Sequence, residues 1–179
     1  MRKLNMVLVA GMLAAFLAHA IMGSMRLFGG SAAPTAAVAW AALSLAGAHV
    51  IITTVLTAQT LHARRRSGAG YFKDNKLFWV RRLSGFAVII PLVMHLVIFR
   101  SANADIYRLQ AFTAGRMISQ ILLVLAIALH VLTNIRPALI SFGVKDGKAF
   151  FVDFLLVLSV LLLMFIAAFA VYYVRWAAI

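Results

Sequence analysis

The sequence predicts an all-α membrane protein built as a bundle of five transmembrane helices, and three observations carry that prediction. Hydrophobic residues make up 65% of the 179, with a mean hydropathy of +1.02, a composition that marks a membrane protein. The apolar residues fall into five runs of membrane-crossing length, and a backbone in hydrocarbon must satisfy its own hydrogen bonds, so each run is a helix. Charged residues, only 12% of the chain, gather in the short segments between the runs. None of these segments is long enough for another domain, so residues 1–179 read as one integral-membrane domain.

The first run spans about residues 4–28. It contains Ala18-His19-Ala20, which has the small-x-small form of an export cleavage site, but it continues through Ile21, Met22 and Leu27 and is longer than a signal-peptide core. It is expected to remain as a helix. The second run, about 35–61, follows the turn formers Gly29-Gly30-Ser31 and Pro34. The third, about 78–99, follows Ser67-Gly68-Ala69-Gly70. The fourth covers about 116–140, and the fifth, about 149–176, follows a connector from Gly143 to Gly147.

Positive residues set the expected orientation. Arg2, Lys3, Arg64, Arg65, Arg66, Lys73, Lys76, Arg81, Arg82, Arg136, Lys145 and Lys148 fall on one side, against Arg26, Arg100, Arg108, Arg116 and Arg175 on the other. The positive-inside rule then puts the N-terminus in the cytoplasm and the C-terminus outside. Trp79, Tyr107, Tyr172, Tyr173 and Trp176, near span ends, suit an aromatic belt. A formal charge of +13 carried in loops between spans points to anionic lipid and an acidic partner face, with no nucleic acid expected.

The composition also excludes chemistries. With no cysteine, disulfides, covalent c-type haem and thiolate-held iron–sulfur clusters are ruled out. With no glutamate and only Asp74, Asp105, Asp146 and Asp153, a carboxylate metal site or proton relay has almost nothing to use. A redox cofactor here must hang on histidine or methionine, and Met12, Met22, Met94 and Met164 read mostly as core filler.

Four of the five histidines lie inside apolar runs, one in each of the first four: His19, His49, His95 and His130. One such residue is as readily a packing group as a ligand, but four in four consecutive helices are harder to explain by packing. His62 instead ends the second run beside Arg64–Arg66, where solvent or lipid contact is expected. Counting about 1.5 Å per residue from the cytoplasmic ends places His19 roughly 22 Å and His95 roughly 26 Å up, with His49 and His130 roughly 15–18 Å up. They fall into two layers, His19 with His95 and His49 with His130. Two facing imidazoles without a carboxylate or thiolate suit a haem iron ligated on both faces, and small residues such as Gly11, Ala14, Ala15, Gly47 and Ala126 leave room for a porphyrin.

The segments RRLSGFAVIIPLVMHL (81–96), LHVLTNIRPALISFGV (129–144) and LSLAGAHVIITTVLTAQ (43–59) resemble the cytochrome b membrane anchors of succinate:quinone oxidoreductases, the succinate dehydrogenases and fumarate reductases. The similarity is to the branch with one five-helix subunit and two b-type haems. It is carried by Arg82-x-Ser84-Gly85 at the start of the third helix, by His95 towards its end, and by histidine spacing over nearly the whole chain. It implies two haem b groups, His19 with His95 on the one distal to the soluble subunits and His49 with His130 on the proximal one. It also implies Trp79, Arg82, Ser84 and Arg136 near the proximal propionates, a flavoprotein and an iron–sulfur subunit on the cytoplasmic face, and menaquinone or another quinone as redox partner. The setting implied is the inner membrane of a bacterium. A quinone pocket among Arg26, Arg100 and Asn103 is a further expectation.

The chain departs from the family at Thr133, where asparagine is usual and Asn134 follows, and in lacking the membrane glutamates some members carry; Ala128 is apolar where one can sit. No catalytic residue is assigned, and the dicarboxylate chemistry is expected in a partner. Two other functions fit the same pattern: a cytochrome b anchor of a hydrogenase or formate dehydrogenase, and a haem-free carrier or assembly protein whose histidines only pack helices.

Overall fold

Five helices, α1 (Arg2–Leu27), α2 (Ala36–Ser67), α3 (Lys76–Phe99), α4 (Ala114–Ser141) and α5 (Gly147–Trp176), account for nearly all of the described residues of the computed structural model. It describes residues 2–29, 36–68, 76–99, 112–144 and 147–176. Lys73, Asp74, Arg100, Asn103, Asp105, Tyr107, Arg108, Lys145 and Asp146 lie outside these residues, and with them most of the expected quinone pocket. All five helices are long and apolar enough to cross a membrane, so the chain is an all-α, multi-pass membrane protein.

The helices outrun the apolar segments that predict them, most of all α2, which continues to Ser67 instead of ending near residue 61. The added turn carries Ala63 and Arg64–Arg66, good helix formers whose charge suits a helix C-terminus. It stops at Gly68, whose φ of 67° is the left-handed conformation that ends helices. Hydropathy marks where hydrocarbon ends, whereas the helix ends where the backbone turns.

Packing divides the bundle. α1 lies against α2 and α3 against α4, forming two hairpins, while α5 closes one side by touching both α1 and α4. Among the described residues α2 has no extensive helix contact except with α1, and none of its side chains is buried. The core sits at one end, where Leu27, Ile98, Phe112, Phe169 and Tyr172 meet around the wholly enclosed Ala168. The Phe112 ring stands edge-on to Tyr172 at 4.8 Å between centres, a favoured aromatic geometry. At the same end the Arg175 guanidinium donates to the Phe28 carbonyl oxygen at 2.8 Å, tying α5 to the C-terminus of α1. Gly29 suits that turn: its φ of 93° is one that L side chains rarely adopt, and a Cβ would also have to push the guanidinium aside.

The other end is more open. Its α3–α4 seam is held by polar groups, with Arg81 Nε donating to the Thr133 carbonyl oxygen at 2.8 Å.

Candidate functional site

The two hairpins do not close on each other, and the four intramembrane histidines face one another across the space between them. The His19 and His95 ring centres are 6.0 Å apart with planes crossed at 88°, and those of His49 and His130 are 6.5 Å apart at 68°. No hydrogen bond joins the rings of either pair. A histidine nitrogen binds a first-row metal at about 2 Å and lies about 1 Å from its own ring centre, so two imidazoles on opposite sides of one ion have centres about 6 Å apart. Both pairs have that separation.

The pairs lie in separate layers. Ser84 and Gly85 touch His130, and His95 is ten or eleven residues further along α3, so the layers are about 15 Å apart. This is wider than the sequence count gives. That count starts α3 and α4 at a common level, but beyond the Arg81–Thr133 contact α4 runs eight residues to Ser141 whereas α3 runs only five to Lys76.

In each pair the histidine on the α3–α4 hairpin has its Nδ1 occupied. His95 Nδ1 lies 2.8 Å from Gln120 Oε1. His130 Nδ1 lies 3.1 Å from Ser84 Oγ, a buried hydroxyl that donates to the Arg81 carbonyl oxygen and so can accept the imidazole proton. An imidazole that donates through Nδ1 keeps an unprotonated Nε2 for a metal. His19 and His49 have buried Nδ1 atoms without a hydrogen-bond partner, so no protein group competes for these rings.

This donor set fits a haem better than a bare ion. Among the described residues no three histidine or carboxylate groups come together, whereas a protein-bound zinc needs three or four such ligands. Two opposed imidazoles are sufficient when a porphyrin supplies the other four nitrogens. Gly85 adds a steric sign: a Cβ there would come within 3.1 Å of His130 Cε1, so its lack of a side chain lets the imidazole lie against α3.

The remaining sequence-identified residues are divided. Arg82 holds its guanidinium 5.1 Å over the Phe78 ring, one turn before Gly85, which lies against His130. Trp79 neighbours it, half-buried and edge-on to Phe78 at 5.3 Å. Ser84 is turned onto His130. Arg136 is exposed, and it is Arg81 that reaches across the seam. His62 is exposed on the last turns of α2. Sequence reasoning did not single out Gln120, and it names Gly85 only within the Arg82-x-Ser84-Gly85 motif and Arg81 only as an orienting charge. Gln120 left a signal, an amide near the start of the fourth apolar run.

Compared with known proteins, the chain matches no family model, no curated protein and no solved structure.

Proposed function

We propose that the protein is a di-haem cytochrome b, the membrane anchor of a succinate dehydrogenase or fumarate reductase complex, carrying electrons between a membrane quinone and an iron–sulfur/flavoprotein pair. The observation behind this reading is the doubled histidine geometry: two cross-hairpin pairs at 6.0 and 6.5 Å, stacked along one open bundle. Haem iron supplies a one-electron carrier when bound. The residues do the rest. His19 and His95 hold one group and His49 and His130 the other, Gln120 and Ser84 orient their imidazoles, and Arg82 offers positive charge to propionates beside the second pair. Burial and ligand basicity are the protein's means of setting the potentials.

The resemblance of residues 81–96 and 129–144 to the succinate:quinone oxidoreductase anchors supports the choice of complex. The excess of Lys and Arg at the ends of α2 and α4 supports a cytoplasmic N-terminus in a bacterial inner membrane, with the soluble subunits on that basic side.

Haem content per chain tests the ligands. The wild type should hold two noncovalent haems, and His19→Ala and His130→Ala should each remove or perturb a different one. Full haem with unchanged spectra in both variants rules the assignment out. Because the chain has no cysteine, single cysteines at Ser67 and at Ala177 report orientation cleanly: a membrane-impermeant maleimide on whole cells should label only the second. Subunits that co-purify with covalent flavin identify the complex, whereas nickel or molybdenum points to a hydrogenase or formate dehydrogenase anchor.

A further inference from the structure

The four histidines are not held alike, and the best-determined of them is His95. Gln120, beside it on α4, is completely buried. At ordinary accuracy an amide's oxygen and nitrogen are told apart only by the hydrogen bonds around them, and here those bonds decide. Ser119 has one hydroxyl proton, which it gives to the Arg116 carbonyl oxygen at 2.7 Å. Its oxygen therefore accepts, and the Gln120 amide nitrogen donates to it at 3.0 Å. The amide oxygen is left facing His95 Nδ1 at 2.8 Å. A carbonyl oxygen can only accept, so Nδ1 carries the proton and Nε2 carries the lone pair.

His130 has a looser arrangement. Its Nδ1 meets a hydroxyl, which can in principle accept or donate, and the Asn134 amide nitrogen, a donor, stands 3.4 Å from the same atom. His19 and His49 have no Nδ1 partner. The chain Arg116–Ser119–Gln120–His95 is thus the one whose proton positions are fixed at every link.

We propose that Gln120 is a positioning residue which locks His95 in its ligating tautomer and strengthens it as an electron donor, lowering the reduction potential of the iron held between His19 and His95. The inference rests on the di-haem reading above. An imidazole that donates a hydrogen bond through its second nitrogen is a more basic ligand, and a more basic ligand stabilises ferric over ferrous iron. Gln120 acts through its contact with His95 Nδ1. Its removal therefore moves one potential and leaves the other, about 15 Å away along the bundle, where it is.

The test is an optical redox titration of the purified two-haem protein, the His19/His95 component being the one lost in His19→Ala. Gln120→Leu, which keeps the bulk and removes the acceptor, should raise the midpoint of that component and leave the other unchanged. Gln120→Glu, which keeps an acceptor, should hold both haems with the midpoint at or below the wild-type value. Two bound haems with no shift in Gln120→Leu, or an equal shift of both components, overturns the proposal. If Gln120→Leu loses the haem, Gln120→Glu decides, and a raised midpoint there overturns it. A wild-type protein that binds no haem removes the di-haem reading itself before any Gln120 variant is measured, so the two failures are distinct.

Discussion

At the scale of single residues, the His130 side of the site turns on where one proton sits. Ser84 Oγ, which donates to the Arg81 carbonyl oxygen, can accept it from Nδ1; with that hydroxyl removed, the nearest group to Nδ1 is the Asn134 amide nitrogen, a donor, at 3.4 Å. Ser84→Ala therefore favours the opposite tautomer, with the proton on the nitrogen that should bind metal. Loss of such an outer-shell partner typically costs 10–100-fold in affinity, and haem titration into the apo protein should show a loss of that order at the His49/His130 site with the other site unchanged. Gly85 makes a steric counterpart. Gly85→Ala favours the helix by about 1 kcal/mol but presses on His130, so circular dichroism should show full helicity while the spectrum of that haem shifts; an unshifted spectrum means the ring does not bear on this position. The four histidines were legible in the sequence because an ionisable group in an apolar run stands out. The contact of the Ser84 hydroxyl with the His130 imidazole, by contrast, is not legible, because which side of a helix start faces a neighbour is not written in spacing.

At the scale of elements, the five helices divide into those that pack and one that barely does. α5 packs against both α1 and α4, and Ala168 on it is wholly enclosed in the core. Ala168→Leu adds atoms where there is no room and should destabilise the bundle by about 1–3 kcal/mol, read as a lower unfolding midpoint in detergent. α2 is the opposite case. With no buried side chain and extensive contact only with α1, it contributes His49 and little other packing across the bundle. Exposed positions such as Trp40 and Ile51, both 66% accessible, should accept other apolar residues with unchanged haem content. Apolar length foretold every helix. It did not foretell the extra turn of α2, since hydropathy reports the bilayer edge and the Gly68 φ reports the helix end.

At the scale of the whole molecule, one end is a packed aromatic core, and the other is loosely packed, with His49 and His130 facing each other across the hairpins. A group bound between the hairpins would supply the contacts that α2 lacks, and a ligand bound only by the folded state stabilises it by about 2.7 kcal/mol at a hundred times its dissociation constant. Adding haem to the apo protein should therefore raise the unfolding temperature, with the gain in amide hydrogen-exchange protection largest in α2 and smallest in the Phe112–Tyr172 end of the bundle. Equal protection everywhere means that haem does not bridge the hairpins at that level.

The sequence by itself determined the class of the protein, its five helices and the four histidines, because burial of apolar surface in lipid and the cost of a polar group there are properties of residue type and order. Counting depth along the runs already pairs His19 with His95 and His49 with His130; only the tertiary structure decided their spacing, how far apart the two layers lie, and that Gln120 and Ser84 stand behind two of the four rings. Those facts depend on the relative height and rotation of helices distant in sequence, which are set by side-chain contacts such as Arg81 with Thr133 and Arg175 with Phe28.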